Sequence, residues 1–131
     1  MRASNYLEEA ILNYFFRNQT VSKPTALYLA LYKTNPTDSD TGSEVTGGGY
    51  SRQVVTFDAP TQQGDRGTIT NSNTIEYTQA TNDWGEIAYF GIRDARDGGN
   101  LLAYGTFNKP QTITEGTQFA IKQGDLSVSV A

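Results

Sequence analysis

The 131-residue sequence contains no cysteine and no histidine. Without cysteine there is no disulfide, no thiolate nucleophile and no Cys-ligated zinc or iron–sulfur site. Without histidine there is no Ser-His-Asp triad, no His-ligated metal and no side chain whose ordinary pKa lies near neutrality. An enzyme of this composition would depend on carboxylates, Lys, Tyr or Ser alone. We therefore expect a protein that is not an enzyme, with no catalytic residue, no cofactor and no bound metal.

Basic residues and long apolar runs are also scarce. Lys and Arg total 10 against 14 Asp and Glu, a net charge of -4. Since neutralisation of phosphates by basic side chains supplies most nucleic-acid affinity, no nucleic-acid partner is expected. No apolar run approaches the ~20 residues that cross a bilayer. Glu8 and Glu9 interrupt the place where a secretory signal would be apolar, so neither a membrane partner nor Sec-type export is expected.

The residues that build a hydrophobic core are few. Leu, Ile, Val and Phe total 27 of 131, which predicts a thin core. The 17 Thr and 13 Gly pair a β-branched residue with a turn former and indicate many short strands. The length is typical of one domain, residues 1–131. A thin β core also predicts that neighbouring subunits complete the stability of the domain.

One convincing helix lies within residues 1–18. Asn5 is the predicted N-cap, with Glu8 three residues later in a capping-box pattern, and Asn18 is a plausible stop. Apolar side chains recur at helical spacing and form a wide stripe: Leu7, Ile11, Leu12, Tyr14, Phe15 and Phe16. Two interpretations stay open. The helix closes one end of the β core, or part of its stripe docks on another subunit.

Residues 24–131 have the pattern of short strands. Thr25–Lys33 alternates with apolar residues on both faces, which predicts a central strand. Trp84–Arg93 and Leu101–Phe107 flank an Asp-Gly turn and predict a hairpin. In the first strand of this hairpin, strict alternation places Ile87 and Phe90 on opposite faces. One helix and eight or nine strands predict a mainly β fold: an antiparallel β-sandwich, jelly-roll-like, with one N-terminal α-helix.

Two acidic patterns in the sequence resemble known kinds of site, a calcium loop and a sugar-binding or glycosidase site. Asp38, Asp40 and Glu44 superficially resemble a calcium loop, but Gly42 stands at a ligand position and no bidentate Glu follows, so a solvated loop is predicted. Two further acids flank Trp84, as in a glycosidase or a sugar platform. A thin core leaves little room for an enclosed cleft. Trp84 is therefore predicted to anchor the core or an interface.

Blocks distributed over almost the whole chain resemble a family of small tailed-bacteriophage virion proteins, usually labelled tail-fibre or minor structural proteins. These blocks comprise residues 4–13, 24–32, 35–38, 48–53, 84–92, 98–105 and 124–126. The resemblance implies a virion structural component made in the host cytoplasm, and it brings no catalytic residue with it. A fibre shaft would show a long repeat, and the sequence has none.

The leading hypothesis is a capsid decoration or cement protein, a homotrimer whose partners are other virion proteins, the capsid protein first. The alternative is a tail-fibre or tail-associated module that binds a host-surface glycan or protein. In the first case the acidic loop faces solvent and the contacts to other subunits come from the helix stripe and one tryptophan. The predicted interface residues are Tyr6, Leu7, Ile11, Tyr14, Phe15, Phe16 and Trp84.

Overall fold

The computed structural model describes residues 1–131. The helical part comprises α1 (Asn5–Ile11) and a π-helical turn (Leu12–Phe16). The strands are β1 (Arg2–Ala3), β2 (Leu27–Tyr32), β3 (Gln53–Val55), β4 (Thr61–Gln63), β5 (Arg66–Thr70), β6 (Ile75–Glu76), β7 (Gly85–Arg93), β8 (Leu101–Ile113), β9 (Ala120–Ile121) and β10 (Ser127–Val130). The predicted mainly β fold with one N-terminal helix is confirmed.

The strands form three antiparallel sheets. A five-stranded sheet has the order β1-β8-β7-β2-β3, a three-stranded sheet the order β10-β5-β4, and β6 pairs with β9. Leu29 and Leu31 of the large sheet share one apolar cluster with Ile75 of β6, and Ile121 and Val128 of the small sheets pack against it. The small sheets therefore cover one face of the large sheet, as in a sandwich.

Strand β2 lies inside the large sheet, between β3 and β7. Its residues Leu29, Ala30, Leu31 and Tyr32 are all buried. Apolar side chains on both faces of a strand require cover on both faces. The central position predicted from the alternation of Thr25–Lys33 is confirmed, and so is the hairpin, which β7 and β8 form.

An irregularity in the β7–β8 ladder corrects the predicted alternation of β7. Ile87 pairs with Gln111 and Tyr89 with Thr106, so the single residue between them in β7 lies opposite Phe107–Pro110 of β8. The ladder is locally disrupted at such a bulge. Ile87 and Phe90 lie on either side of it and belong to the same core cluster, whereas strict alternation places them on opposite faces.

Trp84 is a core residue with 1% of its surface exposed. Its indole N–H donates to the carbonyl oxygen of Gly48 at 2.8 Å, and its ring meets those of Tyr50 and Tyr77 edge-on. Gly48 has φ +60°, and a Cβ there would lie 2.9 Å from the indole ring. The glycine run therefore lets the backbone approach the tryptophan closely.

Replacing Gly48 by alanine tests this packing, with Gly47→Ala as the matched control. Both glycines have positive φ, but a Cβ at Gly47 meets no atom within 4 Å. Backbone strain should cost each variant about 1–2 kcal/mol. The clash with the indole should cost Gly48→Ala about 1–3 kcal/mol more. Urea denaturation measures the difference, and equal losses would contradict the predicted contact.

Candidate assembly surface

The N-terminal helix is attached at its beginning. Ser4 is buried, its hydroxyl accepts from the amide of Leu7 at 3.2 Å and donates to the carbonyl oxygen of Leu101. The amide of Ser4 donates to Leu102 of β8 at 2.9 Å. The predicted cap was therefore wrong by one residue: Ser4 caps the helix, and Asn5 is its first residue. Serine and asparagine are both common N-caps. The bonds of Ser4 to β8, which sequence spacing does not reveal, fix Ser4 in this role.

Beyond this attachment the helix is uncovered. No residue of α1 or of the π-helical turn is buried, although the stripe contains the largest apolar side chains of the segment. Phe15 is 72% exposed and Phe16 77% exposed. We call the exposed apolar side chains of this segment the helix surface: Tyr6, Leu12, Tyr14, Phe15 and Phe16. A concentration of exposed apolar side chains on one short segment is typical of an interaction site.

The end of the helix explains why successive aromatic residues are exposed. Leu12–Phe16 is a π-helical turn, a wide turn that is frequent at functional sites. The chain leaves it at Asn18 with φ +53°, a left-handed residue typical of a helix stop. The predicted stop is confirmed. The apolar stripe therefore ends at Phe16, the last residue of the turn. Within the turn, the rings of Tyr14 and Phe15 pack edge-to-face, 5.0 Å apart between their centres.

The structure distributes the other predicted interface residues differently. Leu7 and Ile11 are half-buried on the inner side of the helix. Trp84 lies inside the core, where its side chain offers no surface to a partner or a sugar. Its selection as an interface residue is corrected, because the domain itself surrounds the ring. The acid before it, Asp83, accepts from the backbone amide of Glu115 at 2.7 Å, which gives it a structural partner.

The acidic loop is exposed at Ser39, Asp40 and Thr41, as predicted, but it is also bound to the domain by ion pairs that were not predicted. Asp40 receives two hydrogen bonds of 2.8 Å from the guanidinium of Arg93. The same guanidinium donates to the hydroxyl of Tyr32 at 2.9 Å and to the carbonyl oxygens of Gly98 and Gly99. Every N–H of Arg93 therefore has an acceptor, which is what a buried guanidinium requires.

A second arginine holds the other end of the loop. Arg52 donates to both carboxylate oxygens of Glu44, at 2.9 and 2.8 Å, and to the carbonyl oxygens of Ala95 and Gly98. Tyr50 donates to the same carboxylate at 2.6 Å. We call Arg52, Arg93 and their acidic partners the arginine clamp. No group of three or more acidic side chains is placed to hold a metal ion.

Burial shifts the pKa values of several side chains in and around the clamp. Burial raises the pKa of Tyr50, and the neighbouring Tyr77 and Glu44 raise this pKa further. Burial likewise raises the pKa of Tyr32 and Tyr77. For Arg93 burial alone would lower the pKa, but its bonds to Asp40 and Tyr32 raise it above the ordinary value. The arginines of the clamp stay charged and these tyrosines stay neutral over the ordinary pH range.

The clamp positions the helix through Asp38. The carbonyl oxygen of Asp38 accepts from the amide of Asn5, the first residue of α1, at 2.9 Å. Its carboxylate accepts from the hydroxyl of Tyr104 on β8 and lies 3.9 Å from Arg2. The helix surface is therefore held on the loop that the clamp orders. The two arginines were not predicted. The available signal was Arg93, a charged residue directly after the apolar run Ile87–Ile92.

A groove of about 840 Å³ opens beside β8, at the side of the domain where β1 starts. Aromatic rings form its floor, with Phe107 5.0 Å from Phe90 and 5.9 Å from Phe119 between ring centres. Lys109 and Lys122 stand on its rim. The four-residue bulge of β8 supplies one wall. We call this feature the aromatic groove. This groove was not predicted from the sequence, because Phe90 and Phe119 are 29 residues apart and no local pattern connects them.

Two comparisons bear on identity. A family model described as Gp80, Podophage GP4 fiber I protein gp80, matches residues 2–129. No curated protein matches the chain. No helix of the structure has the length and apolar character needed to cross a bilayer.

Arg93→Met tests the clamp. It removes the charge and leaves the Asp40 carboxylate and the Gly99 carbonyl without their donor, whereas Gly98 keeps its bond from Arg52. Since Asp40 is 37% exposed, we expect a loss of about 2 kcal/mol, less than the 3–5 of a fully buried pair. Arg66→Met, at an exposed position, is the control. Hydrogen exchange at the Asn5 amide should accelerate in the first variant alone. Unchanged stability would contradict the clamp.

The buried tyrosines predict an alkaline limit. Their raised pKa values mean that the unfolded chain loses these protons first, so stability is complete below pH ~10 and falls as the pH rises further. Tyr77→Phe should reduce this slope by about 1.4 kcal/mol per pH unit. Urea denaturation at several pH values between about 8 and 11 measures it. A free energy of unfolding that does not fall above pH ~10 would contradict the assignment.

Proposed function

The chain belongs to the family of the podophage GP4 fiber I protein gp80, and on that premise we propose that it is a fibre-associated subunit attached to the virion through the helix surface. Membership makes it a bacteriophage virion structural protein, in agreement with the resemblance found in the sequence. The attachment site and the fibre position are the proposal.

The observation that carries the proposal is the exposure of Phe15 and Phe16 on a helix without any buried residue. Burying a phenylalanine contributes roughly 1.5–3 kcal/mol relative to leaving it exposed. A virion protein that covers both rings would therefore gain most of its affinity from them. The domain also holds the helix in place through Ser4 and the arginine clamp, so little conformational freedom is lost on docking.

The fibre position is supported by the description that the family carries. Capsid decoration, with the capsid protein as partner, is the second candidate. It is favoured by the absence of a shaft-like segment: β8 is the longest strand at 13 residues, and no other element exceeds 9. Both candidates use the same helix surface, so one set of variants serves both.

The double substitution Phe15→Ser and Phe16→Ser tests the attachment. Both side chains are mostly exposed, so the fold should be retained. The occupancy of the protein in purified particles should fall at least about tenfold, because two apolar contacts are lost. Quantitative mass spectrometry of the particles measures it. Val130→Ser, 66% exposed and outside the helix, is the control and should leave occupancy unchanged.

Full occupancy of the double variant in particles would overturn attachment through the helix. A reconstruction of wild-type particles distinguishes the two positions. Density at a fibre supports the proposal, and density on the capsid lattice supports decoration instead.

A further inference from the structure

The domain carries an uncovered apolar surface, the helix surface, and an open groove in which aromatic rings lie among polar side chains, the aromatic groove. No residue of α1 or of the π-helical turn lines the groove. The helix begins beside Leu101 and Leu102, whereas the groove follows β8 from Gly105 onward. The helix of a protomer therefore does not fill its own groove.

We propose that the aromatic groove of one copy receives the helix surface of a second copy of this chain. The inference rests on the proposed function, in which the helix surface is an assembly contact, and it names the partner. Each copy then both contributes a helix and accepts one. A contact between two different surfaces of identical chains closes into a ring or a reciprocal pair when the rotation permits.

The groove has room for aromatic side chains of the helix surface. Its volume of about 840 Å³ lies within the ~300–1,000 Å³ range of sites that enclose a drug-sized ligand. Phe107 and Phe119, which are half-buried, offer ring faces and edges to Phe15 and Phe16. Aromatic pairs of this kind add roughly 0.5–1.5 kcal/mol beyond their buried area.

The available area favours a closed assembly. Aromatic side chains bury roughly 150–250 Å² each, so the exposed parts of Tyr14, Phe15 and Phe16 amount to about 400 Å². Since a partner loses about as much surface as the rings do, one contact buries about 800 Å², less than the ~1,200–2,000 Å² of a stable pairwise interface. A reciprocal pair contains two such contacts and buries about 1,600 Å², within that range. A single one-way contact would remain weak.

The charges beside the two surfaces are complementary. Glu8 and Glu9 are exposed at the start of the helix, and Lys109 and Lys122 are exposed on the rim of the groove. The rim also carries Asp125, and the helix ends at Arg17. In a protein of net charge -4, a rim with two lysines is a local reversal of sign. Opposite charges at the edges of an apolar contact set its orientation and exclude other partners.

The bulge of β8 is a second observation that favours the groove as a binding site. Phe107–Pro110 lie opposite one residue of β7, and in this segment Lys109 is exposed while Phe107 is half-buried beside Phe90. Bulges commonly redirect side chains next to functional sites. At Gly105 the missing side chain leaves space for the ring of Phe90, which a Cβ would meet at 2.7 Å.

Charge reversal on both surfaces tests the proposal. Glu8→Lys with Glu9→Lys, and separately Lys109→Glu with Lys122→Glu, should each weaken self-association about tenfold. The quadruple variant carries both reversals, has the wild-type net charge, and should regain the wild-type association. Asp58→Lys with Asp65→Lys changes the net charge as the first pair does, at exposed positions away from both surfaces, and should have no effect. Sedimentation velocity measures the mass, and circular dichroism verifies the fold.

The outcomes separate this inference from the proposed function. A wild-type protein that stays monomeric at every soluble concentration overturns the inference, and so does a quadruple variant that fails to reassociate. If that monomer still needs Phe15 and Phe16 to enter particles, the proposed function stands and the helix binds a different virion protein. If the wild type assembles but the Phe15→Ser, Phe16→Ser variant enters particles fully, the attachment fails and the inference stands.

Discussion

The pairing of two buried guanidinium groups with the acidic loop is the constraint on which the rest of the structure depends. A guanidinium leaves water only if its N–H groups find acceptors, and Arg93 finds them in Asp40, Tyr32 and the Gly98–Gly99 turn. These groups come from the acidic loop, a central strand and the hairpin turn, so satisfying one side chain brings three segments together. The N-terminal helix then starts on the ordered loop, and the position of its aromatic residues follows from the same requirement.

The core has little apolar material and concentrates it on one side of the large sheet. Trp84, with Tyr50 and Tyr77 around it, fills much of that volume, and small sheets of two and three strands complete the cover. Large apolar side chains that the core does not use remain at the helix surface. An exposed surface of this kind is typical of an interaction site, which relates the thin core to the proposed assembly.

The predictions that failed have a common cause. The acidic loop was predicted to be solvated because it does not match a calcium loop, and the pairing of Asp40 and Glu44 with arginines 53 and 8 residues away was not foreseen. Trp84 was predicted to anchor the core or an interface and was chosen as an interface residue, but its ring lies in the core. Strict alternation placed Ile87 and Phe90 on opposite faces, and it does not hold across the irregularity in the β7–β8 ladder. In each case the deciding contact is between residues that no local pattern connects.

The sequence by itself determined the mainly β class, the central strand, the β7–β8 hairpin, the helix with its stop at Asn18 and the phage family, because alternation, turn residues and family blocks are local properties of the chain. Tertiary structure alone decided which apolar residues stay uncovered, which acids are paired and where the groove opens. Exposure is a property of what other segments cover. Phe15 and Trp84 are both large and aromatic in the sequence, and only the packing of the sheets leaves one of them at the surface and encloses the other.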